Sequence, residues 1–137
     1  MIYEMKSPII GLEQIAKVEL EQIDERFVKI RGLRSDGSDC GLELRLVNPY
    51  ALKRDYSLDV PTSIQTLLHM HSGSNVRVFC VMILQNPIQN SCVNFLAPIV
   101  FNDDNHSAAQ IILHAQEYPK FSVAEPISNY IYEAIGA

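Results

Sequence analysis

A chain of 137 residues has room for one hydrophobic core, and its 47% hydrophobic against 20% charged residues is ordinary globular usage, which excludes wholesale disorder. Eleven Lys and Arg against sixteen Asp and Glu leave a net charge of −5, the wrong sign for gripping nucleic acid through its phosphates. Three cysteines (Cys40, Cys80, Cys92) with no CxxC spacing argue against a disulfide framework and a zinc knuckle.

The charge is unevenly spread. Residues 1–59 hold nine basic and eleven acidic groups, residues 60–102 hold Arg77 alone, and residues 103–137 hold Lys120 against five carboxylates. A central stretch with one charge has to lie inside or against a partner. No linker or repeat divides the chain, so residues 1–137 are expected to form a single domain. The first ten residues carry Glu4 and Lys6 and lack the apolar region of a signal peptide, and the longest apolar run, Val78 to Leu84, is seven residues. Roughly eighteen are needed to span a membrane. A cytosolic protein with no membrane partner is the expectation.

From Ile15 to Ile23, Val18 and Leu20 alternate with Lys17, Glu19 and Glu21, the pattern of a half-buried strand. Val28 and Ile30 alternate with Lys29 and Arg31, and Leu42, Leu44 and Leu46 with Glu43 and Arg45. Ser35-Asp36-Gly37-Ser38-Asp39 supplies the turn between the last two. Pro61 to Met70, with Ile64, Leu67 and Leu68 on one face, predicts a short helix that plugs an end of the barrel. Arg77 to Leu84 is apolar at both parities and reads as a strand covered on both faces. Cys92 to Phe101 reads as another strand, with Pro98 at an edge or bulge, and Ala108 to Leu113 as the sixth. Pro126 to Ile135 places Ile127, Tyr130, Ile131, Ala134 and Ile135 on one helical stripe. So short a helix is marginal alone and has to dock, on its own barrel by preference. The fold class that follows is mainly β: a small antiparallel β-barrel-like fold with a short helix near 61–70 and a C-terminal helix near 126–135.

A search for reactive groups finds little. His69 and His71 form HxH at a helix end, where the two point apart and no nearby carboxylate completes a metal site. Asp103-Asp104-Asn105-His106 lacks the spaced carboxylates of a calcium loop. Ser72-Gly73-Ser74 is not a nucleophile elbow, and the six glycines form no phosphate loop. No enzyme, metal or cofactor is therefore expected. Arg26, Lys29, Arg31, Arg34 and Arg45 cluster on the predicted hairpin, which keeps open a small oligonucleotide-binding barrel. Asp36, Asp39 and Glu43 share that hairpin, however, and only Phe27 offers a stacking ring.

The run Ser91 to Asn102 (SCVNFLAPIVFN), then Gln110-Ile111-Ile112-Leu113 and Tyr118-Pro119, resembles the signature of the FliW family of flagellar assembly factors. Ile10-Gly11-Leu12-Glu13 and Val47-Asn48-Pro49-Tyr50, followed by Asp55-Tyr56, resemble the family's upstream motifs, with Leu12 where an aromatic is usual. The resemblance implies a cytoplasmic, non-enzymatic dual binder. Such proteins bind flagellin, chiefly through its C-terminal helix, in a chaperone-like way. They also bind the RNA-binding repressor CsrA and relieve its block on flagellin mRNA translation; the two partners compete. On this chain the resemblance points to Tyr50, Asp55, Tyr56, Asn94, Phe95 and Pro98 as partner-binding residues. Asp103 and Asp104 join them because the 102–107 turn is acidic here, where the family commonly carries a basic, glycine-containing one. No direct contact with nucleic acid is implied.

Overall fold

The computed structural model describes residues 1–130. Its strands are β1 (Ile2–Ser7), β2 (Lys17–Gln22), β3 (Phe27–Leu33), β4 (Asp39–Val47), β5 (Val76–Ile83), β6 (Cys92–Val93), β7 (Ile99–Asn102), β8 (Ser107–Gln110) and β9 (Glu125–Pro126). Two short helices, α1 (Pro49–Leu52) and α2 (Thr62–Leu67), lie between β4 and β5. The sheet runs β4-β3-β2-β1-β8-β7-β5-β6-β9, and β4 also pairs with β5, which closes a seven-stranded barrel. Neighbours are antiparallel except β1 and β8, which run parallel.

Alternation in the sequence becomes two faces in the structure. Val18, Leu20, Val28 and Ile30 are buried, joining Tyr3, Leu46, Phe79, Ile99 and Phe101 in the barrel interior. On the outer face the register sets Glu19 opposite Arg31 and Glu21 opposite Lys29. Lys29 reaches Glu21 at 3.1 Å and Glu43 at 3.3 Å, and Arg31 pairs with Glu19 and with Asp39 at 3.7 Å. Two of the five basic residues of this hairpin, Lys29 and Arg31, are thus committed to carboxylates. The turn before β4 is tightened by Gly37 in the left-handed region (φ +89), with the Asp36 carboxylate accepting from the Ser38 N–H and hydroxyl.

β5 is covered on both sides over Phe79–Met82, whereas Ile83 at its end is half exposed. Phe79 faces the interior, whereas Cys80 and Met82 pack outside it with Val47, Tyr56, Val93, Phe95 and Ile127. A third cluster, Leu68, Leu96, Val100, Ala109, Ile111 and Leu113, covers the outer faces of β7 and β8.

The structure departs from the expectations of the sequence in five places. β1 is an additional strand; only Tyr3 and Met5 carry its inward face. The expected strand Cys92–Phe101 is split into β6 and β7, because the Asn94 carboxamide accepts from the Leu96 N–H (3.0 Å) and bends the chain before buried Pro98. The sixth expected strand is shorter, ending at Gln110, although the N–H groups of Ile111 and Leu113 still reach the Pro98 and Leu96 carbonyls (2.8 and 2.7 Å). The helix near 61–70 forms but does not plug the barrel: Ile64 and Leu68 pack on its outer wall, and Ile9 and Ile15 of the β1–β2 connection enter the interior cluster instead. Of the helix expected over 126–135, the described part is β9 and a single turn of 3-10 helix, Ile127–Asn129, while 131–135 lie outside the described residues.

Candidate functional site

The sequence-predicted residues fall into four environments. Tyr56, Phe95 and Pro98 are buried. The Tyr56 hydroxyl donates to the Phe95 carbonyl (3.0 Å), and its ring stacks on Phe121 at 4.6 Å. Burial, and then the neighbouring Cys80, push the Tyr56 hydroxyl far above its ordinary pKa. The Cys80 thiol is pushed by burial up to about 12. Beside this cluster the Lys53 ammonium sits 5.4 Å from the Phe95 and Tyr130 rings and 5.9 Å from Phe121, with Glu125 at 3.6 Å. Burial would lower its pKa, but Tyr130 and Glu125 outweigh that and raise it.

Asp103 and Asp104 serve the barrel wall. Asp103 accepts from Arg77 Nε (2.8 Å) and Nη2 (3.2 Å), while the Tyr3 hydroxyl, which also receives Arg77 Nη2 at 2.8 Å, donates to Asp103. This triad ties β1, β5 and the β7–β8 turn. Asp104 is exposed and accepts from the Asn75 carboxamide (2.8 Å) and N–H (3.2 Å), which hold its carboxyl below the usual range. Tyr50 and Asp55 are exposed, and Tyr50 meets Tyr56 edge-on at 5.5 Å. Among the described residues no group of three His, Cys, Asp or Glu side chains converges as a metal site would require, and no helix is long and apolar enough to cross a membrane.

A broad concave surface opens at the barrel mouth. Asn94 half-buries there in a groove of about 550 Å³. Leu44 and Val81 form its floor, Gln110 its polar centre and Ile10, Ile83, Ile112 and Val123 its rim. Those four rim residues are 66, 51, 47 and 60% exposed, an unusual concentration of large apolar side chains in water. Gln110 holds the mouth open in one shape: its carboxamide oxygen accepts from the Ile10 N–H (2.9 Å) and its NH₂ donates to the Ala97 carbonyl (3.1 Å). Ile10, Asn94, Gln110 and Ile112 all stand in the family-like motifs, but their spacing along the chain does not show that they meet. The available signal is the surplus of apolar residues at both parities in Val78–Leu84 and Ile111–Leu113, which one interior face cannot absorb.

The chain is thus one of the small closed β-barrels, with an apolar groove at its mouth set by backbone staples. The chain belongs to the FliW family of flagellar assembly factors: the family's sequence profile, described as "FliW protein", matches residues 1–127. It is 51% identical over 133 residues to flagellar assembly factor FliW 1 of Wolinella succinogenes, covering 97% of this chain and 100% of that one. It is 45% identical over 138 residues to flagellar assembly factor FliW 2 of Helicobacter hepaticus, covering 98% and 96%. A crystal structure of the flagellar assembly factor FliW shares the fold, with a TM-score of 0.77 at 18% identity over 92% of this chain and 84% of that one.

Proposed function

We propose that this flagellar assembly factor is a cytoplasmic, non-enzymatic dual binder: it holds flagellin in a chaperone-like complex and, when free of it, binds the repressor CsrA and relieves repression of flagellin mRNA translation. The observation that carries the flagellin half is the barrel mouth. An amphipathic helix needs an apolar trough with polar groups at its margins, and Ile10, Ile83, Ile112 and Val123 around Asn94 and Gln110 offer that chemistry. The net charge of −5 favours encounter with a basic repressor, through association rate more than final affinity. Lys29 and Arg31, which a nucleic-acid surface would use, are occupied by Glu19, Glu21, Asp39 and Glu43.

A competition pull-down tests the proposal. The tagged protein is expected to retain flagellin or CsrA separately, and added flagellin is expected to displace CsrA. A stable ternary complex, or failure to retain either partner, overturns it.

A further inference from the structure

The seam that closes the barrel is short. β4 and β5 pair only at Arg45 with Met82, Leu46 with Val81 and Val47 with Cys80, after which β4 turns away at Asn48. β5 begins four residues earlier, at Val76, so its first half has β7 on one side and no strand on the other among the described residues. The direction of its backbone groups follows from two hydrogen bonds. The Asp103 N–H donates to the Asn75 carbonyl (2.8 Å) and the Asn94 N–H to the Val81 carbonyl (3.0 Å), so odd-numbered positions of β5 bond toward β7 and β6. Antiparallel ladders alternate. The N–H and C=O of Val76 and Val78 therefore face away from β7, two donors and two acceptors with no protein partner among the described residues.

They face a groove of about 380 Å³ walled by Asn48, Tyr50, Leu58 and Val60. Arg77, the one ion in its lining, is held by Asp103. Carboxylates with no ion pair among the described residues flank it: Asp59 lies in sequence between the wall residues Leu58 and Val60, and Asp104 is bonded to Asn75 at the head of β5. An open strand edge recognises extended backbone, its apolar wall selects small aliphatic side chains, and the flanking charge selects cations.

We propose that the β5 edge at Val76–Phe79 is a strand-addition site for an extended, Lys- or Arg-flanked segment of a partner protein, distinct from the barrel mouth. The segment adds antiparallel to β5, as β4 does further along the same edge, exchanging backbone hydrogen bonds with Val76 and Val78 while its aliphatic side chains rest on Leu58 and Val60. The site does not depend on flagellin or CsrA being the partner.

The test uses the full chain and a synthetic heptapeptide, Lys-Thr-Val-Thr-Val-Thr-Lys, with two controls: the same peptide N-methylated on one edge at a time, and a version with Glu for both Lys. The parent peptide is expected to bind and to slow amide exchange at Val76 and Val78. One N-methylated control and the Glu control are each expected to bind about tenfold more weakly or worse. Val78→Pro removes a groove-facing N–H without touching the β7 ladder and is expected to abolish binding with the circular dichroism spectrum unchanged. Equal binding of both N-methylated peptides, no binding of the parent, protection at the barrel mouth instead, or protection of Val76 and Val78 by self-association of the free chain overturns the proposal.

Discussion

The two ends of the β4–β5 seam make opposite surfaces from the same strand. Toward its C-terminal end, β5 delivers Val81 and Ile83 to the barrel mouth, where backbone groups nearby are bonded and the exposed commodity is apolar side chain. Toward its N-terminal end, β5 presents bare backbone beside Tyr50, which is 44% exposed, with carboxylates at the flanks. Burial of area would drive association at the first, nearly independent of salt. Backbone pairing and charge would drive it at the second, where salt would weaken it. Strand pairing that covers only three residue pairs leaves a splay at each end, and the residues flanking each splay decide what it can hold.

That contrast breaks most sharply at the mouth. Replacing Ile83 and Ile112 together by Asp removes two rim anchors worth about 1.5 kcal/mol each, so flagellin affinity is expected to fall roughly a hundredfold in titration calorimetry, with peptide binding at the β5 edge unchanged. Loss at both sites would mean that they are one surface.

Alkaline pH separates the seam itself from its two ends. The Cys80 thiol is raised by burial from 9.0 to about 12. The unfolded chain releases this proton near pH 9.0 and the folded chain retains it, so the stabilisation is complete below pH 9.0 and declines above it. Denaturant melts are expected to lose about 1.4 kcal/mol per pH unit between pH 9.0 and about 12 from this group, and Cys80→Ala is expected to remove that slope. A slope unaltered in the variant would place its origin elsewhere.

A smaller effect targets the groove wall. Tyr56→Phe deletes the bond to the Phe95 carbonyl that anchors the 48–60 segment and is expected to cost about 1 kcal/mol in urea denaturation. It is expected to weaken the edge peptide while leaving flagellin binding at the mouth intact. The smallest effect is ionic: raising NaCl from about 50 to about 500 mM is expected to weaken the Lys-flanked peptide severalfold and to leave the mouth nearly indifferent.

Elements with a strict local period are legible in the amino-acid order alone. Val18 and Leu20, or Val28 and Ile30, bury because a pleated strand turns alternate residues to one side, and that pattern needs no knowledge of neighbours. α2 is legible for the same kind of reason, but not its seat on the outer wall, which depends on Val100 and Ala109 of distant strands. β1 escapes because its alternation, Tyr3 and Met5 against Glu4 and Lys6, lasts only four residues before Ser7-Pro8 ends it. The break in the run after Val93 escapes because the sequence shows Asn94 as a polar residue, not as an acceptor for the Leu96 N–H. Among the candidate site residues, the family resemblance points to Tyr50, Asp55 and Asn94, and the structure leaves the first two exposed and the third half-buried. It cannot show that Tyr56, Phe95 and Pro98 sit inside, since an aromatic or proline motif looks alike whether it meets a partner or its own core.

The amino-acid order by itself determined a barrel of half-buried strands, a strand wrapped on both faces, an acidic surface and membership of a recognisable family, because each depends on composition or on spacing along the chain. Where the barrel closes, how few residues close it, and therefore which isoleucines stand in water at one end and which valine amides stand unpaired at the other, were decided only in three dimensions. Those features depend on register between strands more than thirty residues apart, and no local pattern encodes register.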